Sequence, residues 1–223
     1  MRTLVITDST GMPQPKIGLK QKDTYIGKLD GYVEVLSGGG YPIKEFSGRV
    51  NNIASYIEDK AFDLGIIGLG LADCAPRPIP TEVRGIIERL PLPLRYMATK
   101  TLHVTRPQLV KLKLNQYTPI DEFTYYYNQI LNITVRVCNA IIVIQIAPIR
   151  DSIEKHSPGF RNQIAIYNRH ILAMCMYHSK VRLINLEDMK DEKYLTNDAH
   201  MTKEGHEYIW GRMDIQRYYG DTK

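Results

Sequence analysis

Two stretches constrain the fold more than any others: Asp63-Leu64-Gly65-Ile66-Ile67-Gly68-Leu69-Gly70 and Ala140-Ile141-Ile142-Val143-Ile144-Gln145-Ile146. Both are nearly continuous in apolar residues and glycine, without the alternation of a strand wetted on one face. Runs of this kind are strands covered on both faces, which calls for helices above and below a parallel sheet. Leu4-Val5-Ile6 opens the chain in the same way. Tyr32 to Leu36 alternates and reads as a second strand, and Val181 to Leu186 as a fifth. Helical spacing separates them. It is carried by Val50, Ile53, Ala54 and Ile57 within Arg49 to Asp59, and recurs in Glu82 to Leu90, Pro119 to Leu131, Gly159 to Tyr177 and Thr202 to Met213. Thr24 to Leu29 reads as the start of a further helix, closed by Gly31. The expected fold class is α/β: a three-layer α/β/α arrangement on a five-stranded, mainly parallel sheet.

The 223 residues, 43% hydrophobic, suit one domain over 1–223, and no Gly/Ser/Pro linker divides them. A long stretch at about 78–132 is richer in Tyr, Arg, Lys and Pro. It reads as a helical insertion that packs over the sheet edge or covers the site. Pro91 and Pro93 are expected to break its first helix. A net charge of +5 with dispersed cations describes a solvated surface, or an anionic substrate, and no nucleic-acid module is present. Only charge supports nucleic-acid binding through the basic 95–113 stretch. Cys74, Cys138 and Cys175 are odd in number and widely spaced, so neither a disulfide framework, a metal site nor a cofactor motif is expected. The longest apolar run, Ala140 to Ala147, is too short to span a membrane, and a soluble, cytoplasmic protein is expected. The tyrosines of the insertion would suit a homo-oligomer interface.

Chemistry is concentrated in Thr7-Asp8-Ser9-Thr10-Gly11, directly behind the first strand, and in Asn197-Asp198-Ala199-His200 near the other end. Catalytic groups in open α/β sheets gather beyond the carboxyl ends of the strands. A serine early and Asp/His late is the order of an acyl-transfer triad assembled by the fold. The same Asp-Ser-Thr-Gly run is equally ordinary helix-cap and turn chemistry. Ser37-Gly38-Gly39-Gly40 follows the second strand, either to aim backbone N–H groups at a ligand or simply as a turn. Cys74, next to Asp73, reads as a buried structural thiol rather than a nucleophile. Arg77 is either a fork for a carboxylate or phosphate or a brace for its loop. His206 reads as packed or solvent-facing, and His103, His156, His170 and His178 have no motif around them.

Taken in order, Thr7-Asp8-Ser9, the glycine turn, Gly70-Leu71-Ala72-Asp73 and Asp198-Ala199-His200 through Gly205-His206 resemble the SGNH (GDSL) hydrolases over essentially the whole chain. Asp73 to Arg77 further resembles a bacterial subgroup associated with surface-polysaccharide biosynthesis. The resemblance implies the flavodoxin-like SGNH fold, with Ser9 as nucleophile and His200 as general base and acid. It implies that the N–H groups of Ser9 and of Gly40 or Gly39 donate to the oxyanion, and that Asp8, Asp73 and Arg77 contact substrate. Two positions depart from the family. Ala72 stands where Asn usually supplies a third oxyanion donor. Asn197 stands where the acid usually precedes the His, leaving Asp198, or Asn197 itself, to orient the ring.

Three functions follow as expectations. The first is a serine esterase removing a small acyl group, in the leading case acetyl, from a carbohydrate or similar small-molecule or glycan ester. The second passes the same acyl group to a sugar hydroxyl, as an O-acyltransferase. The third, motivated by Ala72 and Asn197, is an inactive protein that binds a glycan or a partner.

Overall fold

The structure is a computed structural model, and it describes residues 1–57, 60–112, 116, 118–189, 192–196 and 199–218. Its centre is a five-stranded sheet of β1 (Arg2–Asp8), β2 (Tyr32–Gly38), β3 (Phe62–Gly68), β4 (Cys138–Ile144) and β5 (Val181–Ile184). The strand order is β2-β1-β3-β4-β5 and every pairing is parallel. The middle strands lie in register through Val35, Val5, Ile66 and Ile142.

Successive side chains of a strand point to opposite faces, so a strand buried on both needs two cores. On one face Leu4, Ile6, Ile67, Ile141 and Val143 pack beneath α1 (Ile43–Ala54), α5 (Ile120–Val137) and α7 (Phe160–Cys175), through Phe46, Phe123, Tyr127 and Tyr167. On the other, Val5, Leu64, Ile66, Ile142 and Ile144 meet Tyr25, Ile26, Leu186, Ile209 and Met213, the last two from α8 (Lys203–Met213). The three cysteines are free and buried. Among the described residues no helix is long and apolar enough to cross a membrane.

Several elements differ from the sequence reading. Residues 24–29 do not begin an α-helix; short 3-10 turns at Gln21–Asp23 and Ile26–Lys28 seat Tyr25 and Ile26 in the second core. Tertiary packing of two side chains outweighs a weak local preference there. The helix expected from Arg49 begins at Ile43, directly behind Pro42. The first helix of the 78–132 stretch, α3 (Thr81–Glu88), stops before Pro91 and Pro93 as expected; what the sequence reading did not contain is α4 (Leu92–Leu112), which takes Pro93 in its first turn, where a missing N–H costs no helical bond. The aromatic-faced segment after Pro119 is α5, which belongs to the sheet-covering layer and buries Phe123, Tyr127, Ile130 and Leu131. Among the described residues α3, α4 and the short α6 (Asp151–His156) contribute least to either core: α4 buries a single residue, Val110, and α6 none. The sheet order reverses beside β1, and the carboxyl end of that strand is where a ligand crevice forms.

Candidate active site

Ser9 follows β1 directly and opens a one-turn 3-10 helix, Ser9–Gly11. Asp8 is its cap. One carboxylate oxygen accepts from the Thr10 N–H at 2.9 Å and the Thr10 hydroxyl at 2.6 Å, and the other accepts from the Leu71 N–H at 3.2 Å. Gln14 Nε2 donates to the Ser9 carbonyl at 3.1 Å. The turn is therefore tied on both sides while the Ser9 hydroxyl faces His200.

His200 is held just as closely. Its carbonyl accepts from the Thr196 N–H at 2.7 Å and the Thr196 hydroxyl at 3.0 Å, and its N–H donates to Thr196 Oγ1 at 3.0 Å. Leu195 and Met201 form an antiparallel bridge across the base of this loop, and Ala199 takes the left-handed conformation at φ 65°. The Thr202 side chain caps α8 by accepting from the Gly205 N–H at 3.2 Å. The result is a separation of 3.1 Å between His200 Nε2 and Ser9 Oγ. That is within reach for proton transfer between a hydroxyl and an imidazole. Asn197 and Asp198, the two candidates to orient His200, lie outside the described residues.

The glycine turn also arrives at the site. Gly38 pairs with Asp8 across β1 and β2. A Cβ placed on Gly39 would come within 3.9 Å of Ser9 Cβ, and Gly40 has a φ of +70° that favours glycine. Gly70 (φ +122°) opens the short helix α2 (Leu71–Cys74), which carries Ala72 and Asp73.

Asp8 and Asp73 lie inside the protein, 3% and 1% exposed. Burial raises the Asp8 carboxyl above its usual range, partly offset by the Thr10 and Leu71 hydrogen bonds and by attraction to His200. Asp73 accepts from the Ile43 N–H at 2.9 Å and from the Thr118 hydroxyl, and burial pushes its carboxyl up to about 6. Their oxygens brace the loops beneath Ser9 and the start of α1. Arg77 donates to the Ala72 carbonyl at 3.4 Å. Cys74 is fully buried, and burial drives its thiol well above the ordinary value, away from thiolate chemistry.

His206 and His170 make contacts within the scaffold. His206 is buried against the Tyr25 ring, its Nδ1 accepts from the Tyr25 N–H at 3.4 Å, and burial lowers its pKa to about 4. His170 Nδ1 lies 3.0 Å from Thr124 Oγ1. Sequence reasoning missed Thr196 and Gln14, because a single hydroxyl or amide bonded to backbone leaves no pattern in the chain. Two cavities adjoin the His200 loop and share Leu195 and Arg150: one of about 600 Å3 walled by Ile146, Ile164 and Met189, one of about 700 Å3 reaching Thr196 and Thr202.

No protein-family model matches the chain, and no curated protein matches it. Solved structures do. A GDSL-like lipase from Bacteroides thetaiotaomicron aligns with TM-score 0.61 at 11% identity, over 97% of this chain and 88% of that one. A member of the lipolytic protein G-D-S-L family from Veillonella parvula aligns with TM-score 0.56 at 8% identity, over 97% and 98%. The psychrotrophic esterase EstA from Pseudoalteromonas sp., in a structure inhibited by monoethylphosphonate, aligns with TM-score 0.55 at 11% identity, over 99% and 100%. At such identities the likeness is one of fold, and the fold is that of the GDSL/SGNH hydrolases.

Proposed function

We propose that the protein is a serine ester hydrolase of the SGNH type, acting through an acyl-enzyme on Ser9. The observation that carries this reading is the 3.1 Å approach of His200 Nε2 to Ser9 Oγ. It lies at the carboxyl end of β1, in a fold shared with GDSL lipases and esterases. His200 removes the hydroxyl proton as Ser9 Oγ attacks the ester carbonyl. The tetrahedral oxyanion is met by backbone N–H groups of Ser9 and of Gly39 or Gly40. His200 then returns the proton to the leaving alcohol. Water activated by the same imidazole attacks the acyl-enzyme, and its collapse releases the acid and restores Ser9. Asp198, with Asn197 as the alternative, orients the imidazole.

The substrate in this reading is a small acyl ester, in the leading case acetyl, on a carbohydrate or similar polyhydroxylated molecule. The two cavities that adjoin the His200 loop through Leu195 and Thr196, and are lined by neither Ser9 nor His200, support it by their chemistry. They combine apolar walls with Arg150, Asp151, Glu187 and Thr202, a mixture suited to a sugar ring and its hydroxyls. Ala72 gives one specific reason to keep the non-catalytic alternative, because it offers no side-chain donor to the oxyanion, and one such donor is worth about 3 kcal/mol. Hydrolysis of p-nitrophenyl acetate and acetylated sugars by wild type and Ser9→Ala tests the reading. Turnover lost in the variant supports it, and equal turnover in both contradicts it.

A further inference from the structure

A third cavity, of about 310 Å3, lies between the segment after α2 and helices α3 and α4; neither Ser9 nor His200 lines it. Among the described residues its charged walls are Arg77, Arg84, Arg95 and Arg106, with His103 beside them and Glu88 as the one acid. Four guanidiniums against one carboxylate leave a formal excess of three positive charges around a small space. Like charges held together repel, and a multiply charged anion relieves that repulsion.

The way Arg95 and Arg106 are held keeps their charge available. Arg106 Nε donates to Ser157 Oγ at 2.7 Å and its terminal nitrogen to the Pro76 carbonyl at 2.8 Å. Arg95 donates to the Glu88 carbonyl at 3.5 Å. Neutral acceptors steer a guanidinium without cancelling its charge. The Arg84–Glu88 pair is a solvent-exposed i,i+4 contact at 2.8 Å, of the kind that competes weakly with a better anion. Burial lowers the pKa of Arg106, the mark of a cation kept partly from water. His103 stacks on His156 at 4.7 Å between ring centres, and His156 is held toward its neutral form by burial and by His103 and Arg106.

We propose that the cavity ringed by Arg77, Arg84, Arg95 and Arg106 binds the phosphate or diphosphate group of a small phosphorylated ligand. Planar forks from several directions match the oxygens of a phosphate, and the volume suits a small group. The site is independent of serine chemistry: Ser9→Ala retains it.

Calorimetric titration of the full chain with pyrophosphate tests the assignment, with unilamellar vesicles containing phosphatidic acid as a second arm. Arg95 is exposed and braced by one long bond, so Arg95→Gln is expected to fold, as a melting curve verifies. Lys44→Gln removes the same charge from exposed α1 as a control. The expected result is one pyrophosphate per chain, bound about tenfold or more weakly by Arg95→Gln and unchanged by Lys44→Gln. Arg95-dependent binding to the vesicles alone also supports a phosphate site and assigns it to a lipid headgroup. No Arg95-dependent binding in either arm, or equal weakening by Lys44→Gln, overturns the proposal.

Discussion

Ser9 Oγ and His200 Nε2 stand 3.1 Å apart although 191 positions separate them in the chain. Both hang from backbone fixed by other residues, Ser9 from the Asp8-capped turn and His200 from the Thr196 clamp. A pair acting as one unit loses its function when either member is removed. Ser9→Ala and His200→Ala are each expected to lower kcat for p-nitrophenyl acetate by on the order of 10^4-fold, and the double variant to be no worse. Steady-state kinetics on the three variants checks this.

Thr196 makes three hydrogen bonds to the His200 backbone and contributes no atom to the proposed reaction. Thr196→Val keeps the shape and the N–H but removes the hydroxyl. The expected result is a kcat lowered about ten- to hundredfold by misplacement of the imidazole, with KM little changed. A KM effect alone would assign Thr196 to substrate binding instead.

Ala72 sits on α2, two residues past Gly70, at the position where the resembled family carries Asn. Ala72→Asn is expected to raise kcat by roughly a hundredfold if the added amide reaches the oxyanion, the inverse of the loss seen when such a donor is removed. Single-turnover acylation of wild type and variant measures it; an unchanged or lower rate means that the position does not face the reacting carbonyl.

His206 and Asp73 give opposite dependences of stability on pH. The imidazole of His206 has a pKa of about 4 in the fold against 6.5 in the unfolded chain, so its contribution is complete above pH 6.5 and is lost as pH falls toward 4. The carboxyl of Asp73 is at about 6 in the fold against 3.8 unfolded, so its contribution is complete below pH 3.8 and is lost as pH rises through 6. Each amounts to ~3 kcal/mol across its window. Urea unfolding between pH 4 and 7 is expected to show the stability of wild type relative to His206→Gln rising with pH, and relative to Asp73→Asn falling. Two parallel difference curves would contradict these assignments.

The strands were legible because β3 and β4 are buried on both faces and their composition says so without reference to the rest of the chain. Ser9 and His200 were legible from their order and from the position of Ser9 after a strand. Asp8 shows why local patterns mislead about roles. The Asp-Ser-Thr-Gly run reads both as cap and as catalytic motif, and the structure uses Asp8 as cap while it leaves the Ser9 hydroxyl to His200. Helix α4 was hidden by its prolines: Pro93 sits in the first turn, where it costs no helical bond, and Pro107 lies in the interior without ending the helix. The four arginines of the third cavity lie between positions 77 and 106 with no fixed spacing, and only the packing of α3 and α4 beside the segment after α2 gathers them. Thr196, Gln14 and the seat of Tyr25 against His206 depend on pairings between distant segments that no periodicity records.

The central claim is that His200 activates Ser9 as a nucleophile. Intact-mass measurement after exposure to a fluorophosphonate tests it most directly, because only an activated serine is phosphonylated. One adduct is expected on wild type and none on Ser9→Ala or His200→Ala, with all three proteins folded. A folded wild type that takes up no adduct, or an adduct that persists in Ser9→Ala, would contradict it.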